Sequence, residues 1–163
     1  LAETLEKQKP GSARYEPTDQ MMVIAMGRLG MQEFDLGSDA DLLFVVPNRD
    51  AEEIPFWRTV TQRIISLLSS YTADGTIFAV DTRLRPDGRS GSLVQTEDNY
   101  RNYYETRAEA WEGLAVLKRR PVAGNAQLCE KFLSELQQVD WRRWGQNGRS
   151  RMELVQMLSL IHI

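Results

Sequence analysis

The chain has 163 residues, 20 Lys plus Arg against 23 Asp plus Glu, and a formal net charge of −3. That length suits one domain, or one plus part of another, burying roughly two thirds of the unfolded surface. No apolar stretch approaches membrane-spanning length, the acidic balance argues against sequence-independent nucleic-acid binding, and the single cysteine, Cys129, cannot form an internal disulfide, which fits a reducing cytoplasm.

Leu1 to Pro10 lacks an apolar signal core, and the chain does not begin with Met, so it reads as a piece of a longer protein. Residues 11–20, rich in Gly, Ser, Pro and Asp, read as a loop. Met21 to Met26 reads as a buried strand running into Gly27-Arg28-Leu29-Gly30. Two glycines after a strand can let backbone N–H groups approach a phosphate, and Arg28 adds a fixed positive charge. Such a Gly-x-x-Gly is also simply a turn.

Leu42 to Val46 reads as a second strand, buried on both faces. Asp39 and Asp41 lie at its entrance, after Leu36-Gly37-Ser38, and side chains two apart in an extended segment point to the same side. Residues 53–71 carry Trp57, Val60, Ile64, Leu67, Leu68 and Tyr71 at helical spacing, which predicts an amphipathic helix over one face of a sheet. Ala73-Asp74-Gly75 then turns into a third strand, Ile77 to Asp81.

If the strand entered at Asp41 and the strand ending at Asp81 are neighbours, three carboxylates converge, and each close pair repels by roughly 4 kcal/mol at an effective dielectric near 20. A cation must offset that. Hard divalent ions take oxygen ligands and are commonly shared between a few carboxylates and substrate phosphates. An Asp-x-Asp pair by itself also marks strand ends and turns.

Arg83, Arg85 and Arg89 follow closely, separated by the turn Pro86-Asp87-Gly88. Strand alternation sets Arg83 and Arg85 on the side of Asp81 if the strand continues. They reach substrate phosphates or an acceptor loop, or else form a solvated basic turn, or pair with and orient the aspartates. Thr96 is a candidate N-cap, with Tyr100, Tyr103, Tyr104, Trp111, Leu114 and Leu117 as one stripe of a helix running to Lys118-Arg119-Arg120 and stopped by Pro121. Such a stripe reads as core, and Glu112 beside it as a surface residue. Asn125 can cap a further helix carrying Leu128, Phe132, Leu133, Leu136 and Val139.

The order of strand, glycine loop, Gly37-Ser38 and Asp-x-Asp on the next strand resembles the DNA polymerase β-like nucleotidyltransferase fold, an α/β (α+β) architecture with a small mixed sheet flanked by helices. More closely, Gly27-Arg28-Leu29-Gly30, Ser38-Asp39-Ala40-Asp41-Leu42, Val80-Asp81-Thr82-Arg83-Leu84-Arg85-Pro86-Asp87-Gly88-Arg89-Ser90-Gly91, Ala110-Trp111-Glu112 and Leu117 to Asn125 resemble the glutamine synthetase adenylyltransferase family. The match covers roughly residues 21–139.

The resemblance implies that Asp39, Asp41 and Asp81 are catalytic ligands of Mg²⁺ or Mn²⁺, with Asp81 the candidate acceptor of a tyrosine proton. Gly27, Arg28, Gly30, Gly37, Ser38, Arg83 and Arg85 would bind ATP. It implies AMP transfer to a tyrosine of glutamine synthetase, or its removal by phosphorolysis, with the Gly37-Ser38 pair leaning towards the adenylylating type. It further implies a partner-binding helical region, where a PII-type signal protein could engage through regions outside this chain. The expected layout is a nucleotidyltransferase domain over 1–137 and, over 138–157, a linker and the truncated start of the helical domain. Residues 158–163 resemble a translated sequencing-library adapter, so His162 receives no role.

Two rival classes stay open. One is another polymerase β-like transferase, acting on PII protein or an antibiotic; the other is a nucleotide-binding domain without catalysis, which loss of an Asp would support. No Asp of the trio is missing. A Rossmann domain is disfavoured because no Gly-x-Gly-x-x-Gly follows the first strand.

Overall fold

The computed structural model describes residues 20–35, 37–71, 75 and 77–140. Leu36, Ala73-Asp74, most of the expected 11–20 loop, and the expected linker and adapter segments from residue 141 onward lie outside the described residues.

A small mixed sheet forms the middle layer. Strand β1 (Met22–Ala25) pairs antiparallel with β2 (Ala40–Val46) on one side and with β5 (Arg120–Ala123) on the other. The free edge of β2 takes β3 (Val80–Asp81) at its start and β4 (Val94–Thr96) at its end, both parallel to it. Strict alternation explains why the sheet is covered twice. Met22, Ile24, Leu43 and Val45 face one core, and Val23, Ala25, Leu42, Phe44 and Val46 face the other.

The second core is closed by α2 (Ile54–Ser69), whose Trp57 and Val60 pack beneath the sheet; Trp57 is fully buried. The first is closed by α3 (Glu97–Thr106) and α5 (Ala126–Asp140), through Tyr100, Tyr103, Tyr104, Cys129, Phe132, Leu136 and Val139. An ion pair between Arg101 and Glu135 joins these two helices. The expected caps are present: the Asn99 N–H donates to Thr96 Oγ1 at 3.3 Å, and the Leu128 N–H to Asn125 Oδ1 at 3.1 Å.

Several expectations need correction. The glycine segment is not an open loop but a single helical turn, α1 (Gly27–Gly30). The helix expected over 53–71 ends at Ser69; Leu67 within it is exposed, and so is Tyr71 beyond its end. The third strand shrinks to Val80–Asp81, and Ile77 is exposed. The long aromatic helix is two helices, α3 and α4 (Ala110–Leu117), because the Arg107 and Ala108 N–H groups both turn back to the Tyr103 carbonyl, ending α3. Trp111 consequently lies exposed rather than in the core, and the side chains of Leu114 and Leu117 lie outside the described residues. Strands β4 and β5 were not anticipated. Pro121 does follow a helix, but within β5, and there the sheet has an edge that tolerates proline. Among the described residues, no helix is long and apolar enough to cross a membrane.

Candidate active site

The start of β2 and the end of β3 meet in register: Ala40 opposes Val80 and Asp41 opposes Asp81, with the Ala40 N–H donating to the Ala79 carbonyl at 2.7 Å. Neighbouring strands lie about 4.8 Å apart, so two carboxylates leave the sheet side by side. Asp41 is half-buried, and Asp39, two residues earlier, is exposed just outside the strand.

Their charges are coupled. Burial, first, and then the charges of Asp81 and Asp39 hold the Asp41 carboxyl above its usual range, while Arg83 acts against them. Asp81 is held below its usual range, chiefly by hydrogen bonds from the Arg83 side chain. Arg83 donates its backbone N–H to Asp81 Oδ1 at 2.8 Å and its Nε–H to Oδ2 at 2.6 Å, with a further ion pair to Oδ2. Among the described residues no group of three Asp, Glu, His or Cys side chains is close enough to form a metal cage by itself. The paired Asp41 and Asp81 instead match the usual setting of Mg²⁺, one or two carboxylates with substrate phosphates completing the shell.

Arg28 and Ser38 come together at the mouth. The Arg28 guanidinium pairs with Asp35 at 2.6 Å and donates to Ser38 Oγ at 3.4 Å. Gly37, with φ of +88°, adopts a conformation that suits glycine. The two glycines of α1 have packing roles that spacing alone does not reveal. Gly27 sits at φ +54°, and a Cβ there would come within 2.7 Å of Asp41 Oδ2, so its missing side chain makes room for the carboxylate. A Cβ on Gly30 would come within 1.8 Å of the Lys118 carbonyl oxygen, and the Gly30 N–H is already donated to Met26.

The whole first part of the chain, residues 1–135, matches the sequence model of the glutamate-ammonia ligase adenylyltransferase family. The chain belongs to that family. It is 38% identical over 133 residues to a protein of Hahella chejuensis, covering 77% of this chain and 14% of that one. It is 40% identical over 129 residues to a protein of Bradyrhizobium sp. strain BTAi1, covering 76% and 13%. It is 36% identical over 142 residues to one of Mycobacterium bovis, covering 87% and 13%. Each of these relatives is named bifunctional glutamine synthetase adenylyltransferase/adenylyl-removing enzyme. The chain thus spans about one seventh of the length of the curated relatives it matches.

Within this adenylyltransferase-family domain, the two arginines after Asp81 diverge. The strand stops at Asp81 and a turn follows, so alternation does not place them. Arg83 folds back on Asp81. Arg85 points into the loop, donating to the carbonyls of Thr82 at 2.6 Å, Gly91 at 3.1 Å and Arg89 at 3.2 Å, and to Thr82 Oγ1 at 2.8 Å. With most of its N–H groups spent on loop oxygens, Arg85 braces the turn that presents Arg83. Outside, Arg107 clamps the same turn through Asp87 at 2.8 and 3.2 Å and lies 5.0 Å from the centroid of the Tyr103 ring. Arg83, Asp87, Tyr103, Arg107, Trp111 and Glu112 line a cleft of about 290 Å³, which Arg83 connects to Asp81.

Glu112 is not the surface residue that composition suggests. It is buried, accepting the Tyr103 hydroxyl at 2.6 Å and the Glu109 N–H at 2.7 Å, the latter at the start of α4. Burial and this carboxylate push the Tyr103 hydroxyl up to about 12, so it stays a donor. Tyr103→Phe therefore leaves a buried carboxylate short of one partner. We expect it to cost about 2 kcal/mol, read as a lower urea midpoint with an unchanged slope.

Proposed function

We propose that this chain is a nucleotidyl-transfer domain that moves AMP between ATP and a tyrosine of glutamine synthetase, by adenylylation or by its phosphorolytic reversal. The in-register pair of Asp41 and Asp81 at the exposed end of the sheet, beside Arg83, is the observation that carries this reading. It joins family membership to a place where phosphate, a divalent ion and an acceptor oxygen can meet.

Asp41 and Asp81 would hold Mg²⁺ or Mn²⁺, with Asp39 at the mouth as a further carboxylate. When bound, such an ion neutralises charge building on the transferred phosphoryl group and aligns the attacking and leaving oxygens. The residues of the chain do the rest. Arg28 and Ser38, already in contact, offer a cationic and a hydroxyl donor to phosphate oxygens, and Gly27 leaves the space that the Asp41 carboxylate occupies. In the forward direction the tyrosine oxygen bonds to the α-phosphorus, the bond to the bridging oxygen breaks, and pyrophosphate leaves. The phenolic proton passes to a carboxylate, for which Asp81 is the candidate. In reverse, inorganic phosphate attacks the same phosphorus, the tyrosine oxygen leaves, and ADP forms.

The Gly37-Ser38 pair favours the adenylylating direction. The cytoplasm is the compartment that supplies ATP and glutamine synthetase. A PII-type signal protein fits as a regulator acting through parts of the protein beyond this chain, and the net charge of −3 speaks against a nucleic-acid substrate.

The test uses the full-length protein with Mg²⁺, labelled ATP and glutamine synthetase, and in parallel adenylylated synthetase with phosphate. Label on the synthetase identifies the forward reaction, and ADP release the reverse. A folded full-length protein that does neither, but transfers UMP to a PII-type protein, overturns the assignment.

A further inference from the structure

A cation already stands at the paired aspartates. Arg83 engages both carboxylate oxygens of Asp81, Oδ1 through its backbone and Oδ2 through its guanidinium, and its charge also acts on Asp41 and Asp39. The two partners are unequally fixed. The Asp81 side chain is 11% exposed, and that of Arg83 is 58% exposed. One is held in the sheet; the other is free to leave towards solvent or towards the adjoining cleft, which it also lines.

A divalent ion and a guanidinium cannot both claim Asp81 Oδ2 at bonding distance, because two cations on one oxygen repel. Without either, Asp41 and Asp81 repel each other. We propose that Arg83 is a displaceable counter-ion. It neutralises Asp81 until the metal arrives, then gives that carboxylate up and turns its forked donors to the nucleotide phosphates. The inference rests on the metal-dependent transfer proposed above.

This role has a sign that a merely structural role lacks. If Arg83 only held Asp81 in place, its removal would weaken metal binding. As a competing cation, its removal strengthens it. The experiment is a calorimetric titration of the nucleotide-free, full-length protein with Mn²⁺ alone, comparing wild type, Arg83→Gln, Arg83→Lys and the double variant Asp81→Asn with Arg83→Gln. Melting temperatures establish that each is folded.

Arg83→Gln is expected to bind Mn²⁺ about tenfold more tightly than wild type. Arg83→Lys, which keeps the charge but loses the fork, should lie between them, and the double variant should lose the gain. The affinity for ATP should fall in Arg83→Gln, seen as a higher dissociation constant when the same proteins are titrated with ATP. Equal or weaker Mn²⁺ binding by Arg83→Gln overturns the proposal, including the case in which neither protein binds measurably, and so does a gain that survives in the double variant. These outcomes are read without turnover. The counter-ion can therefore fail while AMP transfer stands, and a full-length protein that transfers no AMP leaves the titration to be judged separately.

Discussion

Asp41→Asn in the full-length protein is expected to lower AMP transfer about a thousandfold, near 4 kcal/mol of lost transition-state stabilisation, without lowering the melting temperature. The two halves of this expectation have one cause. Asp41 is half-buried beside two other carboxylates, and its proton is held more tightly in the folded chain than in the unfolded one. A carboxyl with a raised folded value binds more protons in the folded state, so stability falls as pH rises through that range. At neutral pH the ionised carboxylate therefore strains the fold. A neutral amide of the same shape removes the strain, and the melting temperature should stay level or rise. On the proposed mechanism the substitution also removes an oxygen ligand of the divalent ion. Assay of transfer alongside calorimetric melting checks both. Full activity in the variant would sink the assignment of Asp41, and a marked fall in melting temperature would show that its charge serves the fold instead.

Gly30→Ala is expected to destabilise the protein by about 3 kcal/mol, a large overpacking penalty for one methyl group. The reason is the Lys118 carbonyl oxygen, which stands 1.8 Å from where the new Cβ would lie, with the Ala25 carbonyl oxygen 3.0 Å away on another side. Backbone oxygens cannot rotate aside as a side chain can. The outcome separates two accounts of the same glycine. A phosphate-cradling Gly30 would show its effect in the KM for ATP, whereas a packing Gly30 shows it in the denaturation midpoint and leaves the KM of the folded protein nearly unchanged. Denaturation and kinetics on one preparation distinguish them.

Much of this arrangement is legible in the chain before any coordinates. β1 and β2 announce themselves as apolar runs because both faces of the sheet are covered, and α2 and α5 because their apolar residues recur at helical spacing. The meeting of Asp41 and Asp81 could be anticipated as a condition on strand neighbours, and the sheet meets that condition. Whether those carboxylates carry catalysis is a matter for the substitutions above.

What spacing could not reveal is equally physical. β4 and β5 are three and four residues long, and β5 contains Pro121, so neither shows alternation long enough to stand out. The break between α3 and α4 contains neither Gly nor Pro; it arises from a shared carbonyl acceptor and the buried Ala108, while the aromatic stripe runs across it unbroken in sequence. Glu112 looks like a surface residue because its partner, Tyr103, lies on the preceding helix, where only the fold brings them together. Gly30 looks like part of a phosphate loop because its neighbour Lys118 is far along the chain. Arg83 and Arg85 look equivalent by alternation, but the strand ends before either, and the turn sends one to Asp81 and the other to loop carbonyls.

The two-residue pairing of β3 with β2 sets a tolerance on this domain. Alignment of Asp81 with Asp41 rests on two residue pairs, and side chains change face with each step along a strand. A single-residue slip would point one aspartate into the apolar layer beneath α2 and leave the other alone at the rim. The connector between α2 and β3 can therefore vary in length at little cost, since closing a somewhat longer loop adds only tenths of a kcal/mol. The phase of β3 against β2 cannot vary at all. For anyone grafting, shortening or recombining domains of this kind, the count that matters is not the number of residues between the aspartates but which of them lands opposite Ala40.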